Sequence, residues 1–321
     1  MIINQTGEII PGLYMLGIPA MPVYLRDGEN PAIFDAGLAF LGEAYATAVK
    51  EILGPRPPAY CFLTHSHFDH CGSVAVLKAH FPEMRVLAAP RAKEVLGRPN
   101  AIKLIRELTR AAVPMVQTTG IDLARYDGFE PFAIDQTLNE GDTVEIAKDL
   151  SVQVIETPGH TWDTLSYYIP QERVLFSSES AGQPDQTGYI VSDCLADYDQ
   201  YFESMLRLSD LDLEVICLGH LMALTGEEAR AYIPESMEQC REFRRMVVDC
   251  LREEQGDVTK VLRRIRKIEY DTKTGPKQPE PAYLINLEAR IKAVKNSTAK
   301  AGAPRDKFAK PKPSQNYANQ T

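Results

Sequence analysis

No stretch of this 321-residue chain approaches the ~18 consecutive apolar residues that a membrane span needs. The opening residues Met1 to Glu8 have neither a basic cluster nor a long apolar run, so no secretory signal is read there. An excess of positive charge is missing too. The formal charge is -9, which offers no general attraction for nucleic acid or an anionic membrane surface. Cysteine is sparse and scattered. Cys61, Cys71, Cys194, Cys217, Cys240 and Cys250 form no C-x-x-C, which argues against a disulfide framework and fits a reducing, cytoplasmic compartment. Cys61 and Cys217 lie in strand-like runs and read as buried thiols. There is no Gly-x-Ser-x-Gly elbow and no phosphate-binding glycine loop. Histidine is scarce as well, with only six in the chain.

What the composition does supply is ordinary for a soluble globular protein, with 44% apolar and 25% charged residues. A chain of this length can bury a large core, as one large domain or two modest ones. Against that plain background one stretch stands apart. Three of the six histidines and an aspartate fall together in Thr64-His65-Ser66-His67-Phe68-Asp69-His70. The run before it, Ala59-Tyr60-Cys61-Phe62-Leu63, is apolar and partly aromatic and reads as a buried strand. After Cys71-Gly72, the run Ser73 to Lys78 reads as a helix with Ser73 near its cap. The histidines therefore leave the end of a buried strand and enter a helix, where open α/β proteins place their chemistry.

The spacing has a geometric use. His65 and His67 are two apart, so in an extended chain they point the same way and can share one metal ion. Asp69 and His70 follow where the chain turns and can face a second ion. Imidazole and carboxylate are ligands for zinc, iron or manganese. Cys71 is read as a neighbour of these groups.

The pattern H-x-H-x-D-H resembles the signature of the metallo-β-lactamase superfamily. That resemblance implies an α/β fold, an αββα sandwich with a two-metal site at one edge. It also gives most of the remaining histidines a role. His160, in Thr157-Pro158-Gly159-His160 after a strand, and His220, in Gly219-His220 after Glu214 to Leu218, fall on the family's next ligand positions. The implied first site is His65, His67 and His160; the second is Asp69, His70 and His220. Asp35, in Asp35-Ala36-Gly37, falls on the family's Asp-x-Gly turn, either bracing the metal loop or serving as a plain turn residue. At the bridging position the family carries Gly-Asp, where this chain carries Ser178-Glu179. The added methylene moves the carboxylate ~1.5 Å along the side chain. The backbone then retreats, or Glu179 binds one ion, or it binds none. His80 is left over and reads as a surface residue at a helix C-terminus.

Elsewhere the patterning is regular. Strands flank the Pro11-Gly12 turn and the Arg26 to Asn30 hairpin. Residues 42 to 53 make an amphipathic helix burying Ala44, Tyr45, Ala48, Val49, Ile52 and Leu53. Residues 91 to 135 read as an inserted cover, broken by Gly120, Gly128 and Pro131. Its Met115, Phe129 and Phe132 either line a pocket or pack the cover onto the core. Residues 197 to 210 form a helix, and Glu214 to Leu218 the last core strand. Residues 1–226 are thus expected to form the catalytic domain and 227–295 a helical C-terminal cap. In that cap Pro234 marks a break and Asp257 caps a basic helix. The stripe Leu284, Leu287, Ile291 and Val294 must pack on the core, over the site, or on a second subunit as a homodimer. Residues 296–321 read as a disordered tail.

Within the superfamily the likeness is to its thioesterase-like branch, over residues from about 20 to 255. It implies two divalent metal ions, zinc or iron with manganese as a further option, that activate water for attack on a small-molecule thioester or ester. Asp69 would orient the nucleophile and pass a proton to the leaving group. Glu179 would stand in the bridging position. Two other readings use the same residues: a di-iron redox or oxygen-handling protein, and a regulator that binds a partner through its helical cap.

Overall fold

Along Leu165–Ile169, Val174–Ser178 and Val215–Leu218 every residue is buried, yet successive side chains have different neighbours. Leu165, Tyr167, Ile169, Val174, Phe176, Val215 and Cys217 join one apolar core, while Tyr168, Leu175, Ile216 and Leu218 join another. Period-two alternation in strands buried on both faces therefore separates two cores, one between the sheets and one under a helical layer.

The computed structural model describes residues 1–115, 128–185, 187–274 and 277–302. It is an αββα sandwich. The first of its two seven-stranded sheets runs, in order, through Gly7–Ile10, Leu13–Ile18, Met21–Arg26, Ala32–Phe34, Tyr60–Phe62, Arg85–Ala88 and Gln136–Thr137. Tyr60–Phe62 lies parallel to both of its neighbours, Ala32–Phe34 and Arg85–Ala88. Parallel strands deliver their C-terminal ends to one edge, so the loops starting at Asp35 and Thr64 emerge side by side. The second sheet has the order Ile2–Ile3, Ala223–Thr225, Val215–Leu218, Val174–Ser178, Leu165–Ile169, Leu150–Glu156 and Thr143–Ala147.

Aromatic contacts and hydrogen bonds join the two sheets. Phe34 stacks on Phe176 at 3.6 Å between ring centroids, and Phe62 meets Tyr167 edge-on at 5.1 Å. Tyr167 Oη donates to the Leu63 carbonyl at 2.6 Å, and Leu165 N to the Thr64 carbonyl at 2.8 Å. Both bonds fall where the histidine-rich loop begins, so the start of that loop is anchored to the opposite sheet.

Several expectations are refined. Glu214 to Leu218 is not the last core strand: Ala223–Thr225 pairs antiparallel with it, and Ile2–Ile3 pairs on the outside. Both additions are too short to show a period in sequence. In the helix Gly42–Leu53 the buried face is Tyr45, Ala46, Val49 and Leu53, and Ala44 is exposed. The inserted region begins with helices Pro90–Leu96 and Pro99–Ala112. Phe129 is fully buried in the core, with Phe132 packed against it. Gly120 and the Met115 side chain lie outside the described residues.

Helices Tyr198–Ser209, Glu227–Glu253, Val258–Arg266 and Glu280–Gly302 cover the outer face of the second sheet. Leu287, Ile291 and Val294 are buried there with Phe243 and Val247, so most of that stripe is spent on the molecule's own core. The last helix continues to Gly302, past the expected start of the tail at 296; residues 303–321 lie outside the described residues. Among the described residues, no helix is long and apolar enough to cross a membrane.

Pro234 does not break its helix, which runs unbroken from Glu227 to Glu253. Tyr232, Ile233, Ser236 and Met237 on either side are buried, and that packing outweighs the missing amide donor. An exposed proline in a helix interior costs about 3 kcal/mol, of which its stiffening of the unfolded chain returns roughly 0.4–1 kcal/mol. Pro234→Ala is therefore expected to stabilise the protein by about 2 kcal/mol, read as a higher urea midpoint at unchanged slope. An unchanged or lower midpoint would mean that Pro234 fits this helix without strain.

Candidate metal centre

Five histidines and two carboxylates reach one edge of the sandwich from four places in the chain. His65 and His67 lie on the loop after Tyr60–Phe62, and Asp69 and His70 on the short helix Phe68–Cys71 that follows. His160 sits in the turn after Leu150–Glu156, Glu179 at the end of Val174–Ser178, and His220 just beyond Val215–Leu218. Two glycines make room. Gly159 has φ +131°, and a Cβ there would come within 2.3 Å of the Tyr201 backbone. A Cβ on Gly219 would lie 2.9 Å from Glu179 Oε1.

The donor atoms form three overlapping groups, each within 4.8 Å: His65, His67 and His160; His65, His70 and Glu179; Asp69, His70 and His220. All seven ligand positions expected from the sequence are thus brought together. The two other candidates stay outside. Cys71 Sγ turns away towards the Ser66 carbonyl at 3.7 Å. His80 lies at the end of the helix Val74–His80, between Lys50 and Glu43.

Four of the rings have their second nitrogen fixed from outside. His160 Nδ1 bonds the Asp193 carbonyl at 2.9 Å and His220 Nδ1 the Ala20 carbonyl at 2.7 Å. A carbonyl only accepts, so in both rings Nδ1 carries the proton, and in the neutral ring Nε2 turns a lone pair inward. His70 Nδ1 faces Asp35 at 2.8 Å, and His65 Nδ1 faces the Thr64 hydroxyl at 3.0 Å. Asp35 also accepts the Thr64 amide at 2.8 Å and the Thr64 hydroxyl at 2.9 Å. Asp35 is therefore a brace of the loop and more than a plain turn residue.

Inside the ring of donors the contacts are close and unresolved. His160 Nε2 and His67 Nδ1 are 3.2 Å apart. His70 Nε2 is 2.7 Å from Glu179 Oε1 but out of line for a hydrogen bond. Buried His65 Nε2 and His70 Nε2 have no hydrogen-bond partner. An orphaned buried nitrogen costs about 1–3 kcal/mol, and two of them beside a carboxylate are what a cation site requires. The donor set, imidazole and carboxylate without thiolate, fits a divalent ion of the zinc, iron or manganese type.

Protonation follows the same map. Burial, with neighbouring His70, holds His65 far below the ordinary imidazole range. Burial, with His160, lowers His67 to about 4. For His70 burial also opposes charge, but the Glu179, Asp35 and Asp69 carboxylates outweigh it and hold the ring well above its usual value. His220 moves up for a similar reason, through its hydrogen bond to Glu179 at 2.9 Å. Burial works against the Glu179 carboxylate too, yet His70 and His65 hold it well below the ordinary range.

Glu179 fits with local backbone distortion. Strand pairing shifts register between Phe176 and Ser178, and Ser178 takes φ +48°, outside the comfortable range of an L-residue. Oε1 meets His70, His220 and the Gln183 amide, the last at 3.0 Å; Oε2 meets the Ser178 hydroxyl.

Several supports escaped the sequence reading. Asp163 accepts the Ser66 amide at 2.9 Å, bracing the loop between His65 and His67. Its position three residues after His160 was the available signal. The carbonyls of Ala20 and Asp193 carry none, since every residue has one.

Residues 19–220 match the sequence model of the Metallo-beta-lactamase superfamily. A hydroxyacylglutathione hydrolase of Rhodopseudomonas palustris is 38% identical over 160 residues, 49% of this chain and 46% of that protein. An atrochrysone carboxyl ACP thioesterase of Aspergillus fumigatus is 21% identical over 207 residues, 64% of this chain and 49% of that protein. The chain thus spans about half the length of these curated relatives. In fold it is similar to a metallo-beta-lactamase family protein from Thermus thermophilus, with TM-score 0.60 and 20% identity, covering 92% of this chain and 96% of that one.

In metal-free protein His67 is expected to titrate near 4, against an ordinary value of about 6.5. Between those values the unfolded chain binds the extra proton, so this group's contribution to stability is lost as pH falls from about 6.5 towards 4. Imidazole NMR across that range reads the titration. A midpoint near 6.5 would show that the ring is solvated and the site open.

Proposed function

The chain belongs to the metallo-β-lactamase superfamily, and from that premise we propose that it is a metal-dependent hydrolase of small-molecule thioesters or esters. One observation carries this reading: His65 and His70, each engaged from outside at Nδ1, bring unpartnered Nε2 atoms together with the Glu179 carboxylate, in donor groups that also take in His67, His160, Asp69 and His220. His65, His67 and His160 would hold one divalent ion, and Asp69, His70 and His220 a second, with Glu179 between them. When bound, such ions supply Lewis acidity, lowering the pKa of a water and polarising a carbonyl.

The chain's own residues do the rest. Asp35, Thr64, Asp193 and Ala20 fix ring orientation, so the site pays no reorganisation cost during reaction. Asp69 is the proposed catalytic group. Its carboxylate lies 3.7 Å from His220 Nε2 and is 16% exposed, placing it between the buried donors and solvent. It takes a proton from the attacking water and returns it to the leaving sulfur or oxygen. Likeness to a hydroxyacylglutathione hydrolase and to an ACP thioesterase favours a thioester over an ester. A narrower likeness, to a quinolone-signal response protein of the thioesterase-like branch, rests on Thr64 to Gly72, Leu175-Phe176 and Leu195 to Leu208.

The donor set also supports a second reading. Five imidazoles and two carboxylates suit iron as well as zinc, which keeps a di-iron redox protein in view.

Elemental analysis of protein purified without added metal, followed by assay on S-acyl-glutathione, acyl-CoA and acyl-carrier thioesters, tests both readings. Turnover of at least one thioester is expected, abolished by chelation and restored by zinc or manganese. His67→Ala should lower it at least about a hundredfold, since losing a ligand costs more than losing a ligand's outer partner. Undiminished turnover after complete metal removal refutes the hydrolase reading. A coloured, iron-loaded protein that bleaches on reduction and turns over no thioester favours the redox alternative.

A further inference from the structure

We infer that Arg290, on the C-terminal helix Glu280–Gly302, is a positioning residue for His160 and acts through the segment Ser192 to Asp197. The inference rests on the metal reading of the site given above.

The side chain is only 1% exposed. Two guanidinium nitrogens grip the Glu269 carboxylate at 2.9 and 2.8 Å, with the plane 4.0 Å over the Phe243 ring. The remaining contact leaves the ion pair: Nε donates to the Ser192 carbonyl at 2.8 Å. The next residue, Asp193, offers the carbonyl that orients His160. Its amide donates to Tyr201 Oη at 3.2 Å, and that hydroxyl donates to the Glu179 carbonyl at 2.9 Å. Arg290 and Tyr201 thus hold the Ser192–Asp193 peptide unit between them, and the next unit, Asp193–Cys194, carries the carbonyl that meets His160.

The same helix grips the segment once more and the helix that follows it once: Lys300 Nζ reaches the Asp197 carboxylate at 2.8 Å, and Ser297 Oγ reaches Asp199 of helix Tyr198–Ser209 at 2.6 Å. The segment in turn grips the ligand turn, since the Ala196 and Asp197 amides donate to the Gly159 carbonyl at 3.0 and 3.2 Å. Residues 192–197 form a strap between the C-terminal helix and His160.

Stability alone explains this arrangement poorly. A buried ion pair is commonly replaced by apolar residues at little or no loss, so holding the helices together does not require one. What an apolar substitute cannot supply is a donor fixed in direction towards Ser192. Glu269 lies on a single π-helical turn, Lys267–Asp271, that turns its carboxylate inward. There it also accepts from Tyr189 Oη at 3.2 Å and Tyr283 Oη at 2.9 Å. These contacts leave the planar guanidinium one orientation, the use to which arginine is suited and lysine is not.

Full-length wild type, Arg290→Gln and Leu287→Ala are compared by zinc competition against a chromophoric chelator, which resolves two binding steps. Leu287 is fully buried in the same helix packing, so its truncation controls for lost stability. Arg290→Gln is expected to weaken one step about tenfold to a hundredfold and to leave the other unchanged. Leu287→Ala should lower Tm and leave both steps as in wild type. Equal losses in both variants, or none in Arg290→Gln, overturn the inference. If Arg290→Gln does not fold, Glu269→Gln, which loosens the guanidinium at nearly constant volume, is judged by the same outcomes. A second measurement needs no metal: the His160 Nδ1 proton, followed by NMR, should exchange slowly in wild type and Leu287→Ala but quickly in Arg290→Gln. Slow exchange in all three overturns the strap. A wild type that binds no zinc overturns the metal reading, and the exchange result then judges the strap alone.

Discussion

A buried imidazole nitrogen with no hydrogen-bond partner costs about 1–3 kcal/mol, a penalty that a cation beside it removes. This constraint governs one edge of the molecule. Asp35, Thr64, Asp193 and Ala20 each engage the outer nitrogen of a ring and so turn its other nitrogen inward. Ala20, Asp35 and Thr64 lie in loops of the first sheet and Asp193 in the segment before helix Tyr198–Ser209, while the rings of His160 and His220 follow strands of the second sheet. Closing the sandwich and building the site are therefore one event. The contacts that register the sheets, Tyr167 to Leu63 and Leu165 to Thr64, lie at the first residues of the ligand loop.

Glu179 is where the molecule departs from the superfamily pattern while keeping its geometry. Around it the strand pairing shifts register between Phe176 and Ser178, Ser178 takes φ +48°, and a Cβ at residue 219, a glycine, would crowd its carboxylate. Its Oε1 lies against the second group of donors, at 2.7 and 2.9 Å from His70 and His220. The nearest nitrogen of His65 to its carboxylate is Nδ1, at 3.9 Å from Oε2. The carboxylate thus leans towards the Asp69, His70 and His220 side of the centre.

The C-terminal helices are usually the part of such a chain that reads as an accessory. Here most of their apolar stripe is consumed by the second core, and the one fully buried arginine in that core connects to the ligand turn. The core between the sheets holds the loops at the edge, and the core under the helices holds the strap behind His160.

The sandwich and the candidate places of His160, Glu179 and His220 came from the resemblance to the superfamily, while the residue pattern alone marked the strand–loop–helix setting of His65 to His70. It could do so because strand alternation and a local H-x-H-x-D-H cluster are written in consecutive positions. Asp257 as a cap and a helix over 281–294 were legible for the same reason, each being a local preference of the chain, although the helix runs on to Gly302. Tertiary structure decided what depends on distant partners. It sent the Ile2–Ile3 strand back to the edge of the second sheet, and it carried the Glu227–Glu253 helix through Pro234 because burial on both sides outweighs one missing amide. It also assigned the tautomers of His160 and His220 to two backbone carbonyls. Those carbonyls have no signature in sequence, because every residue carries one and only folding decides which of them a histidine meets.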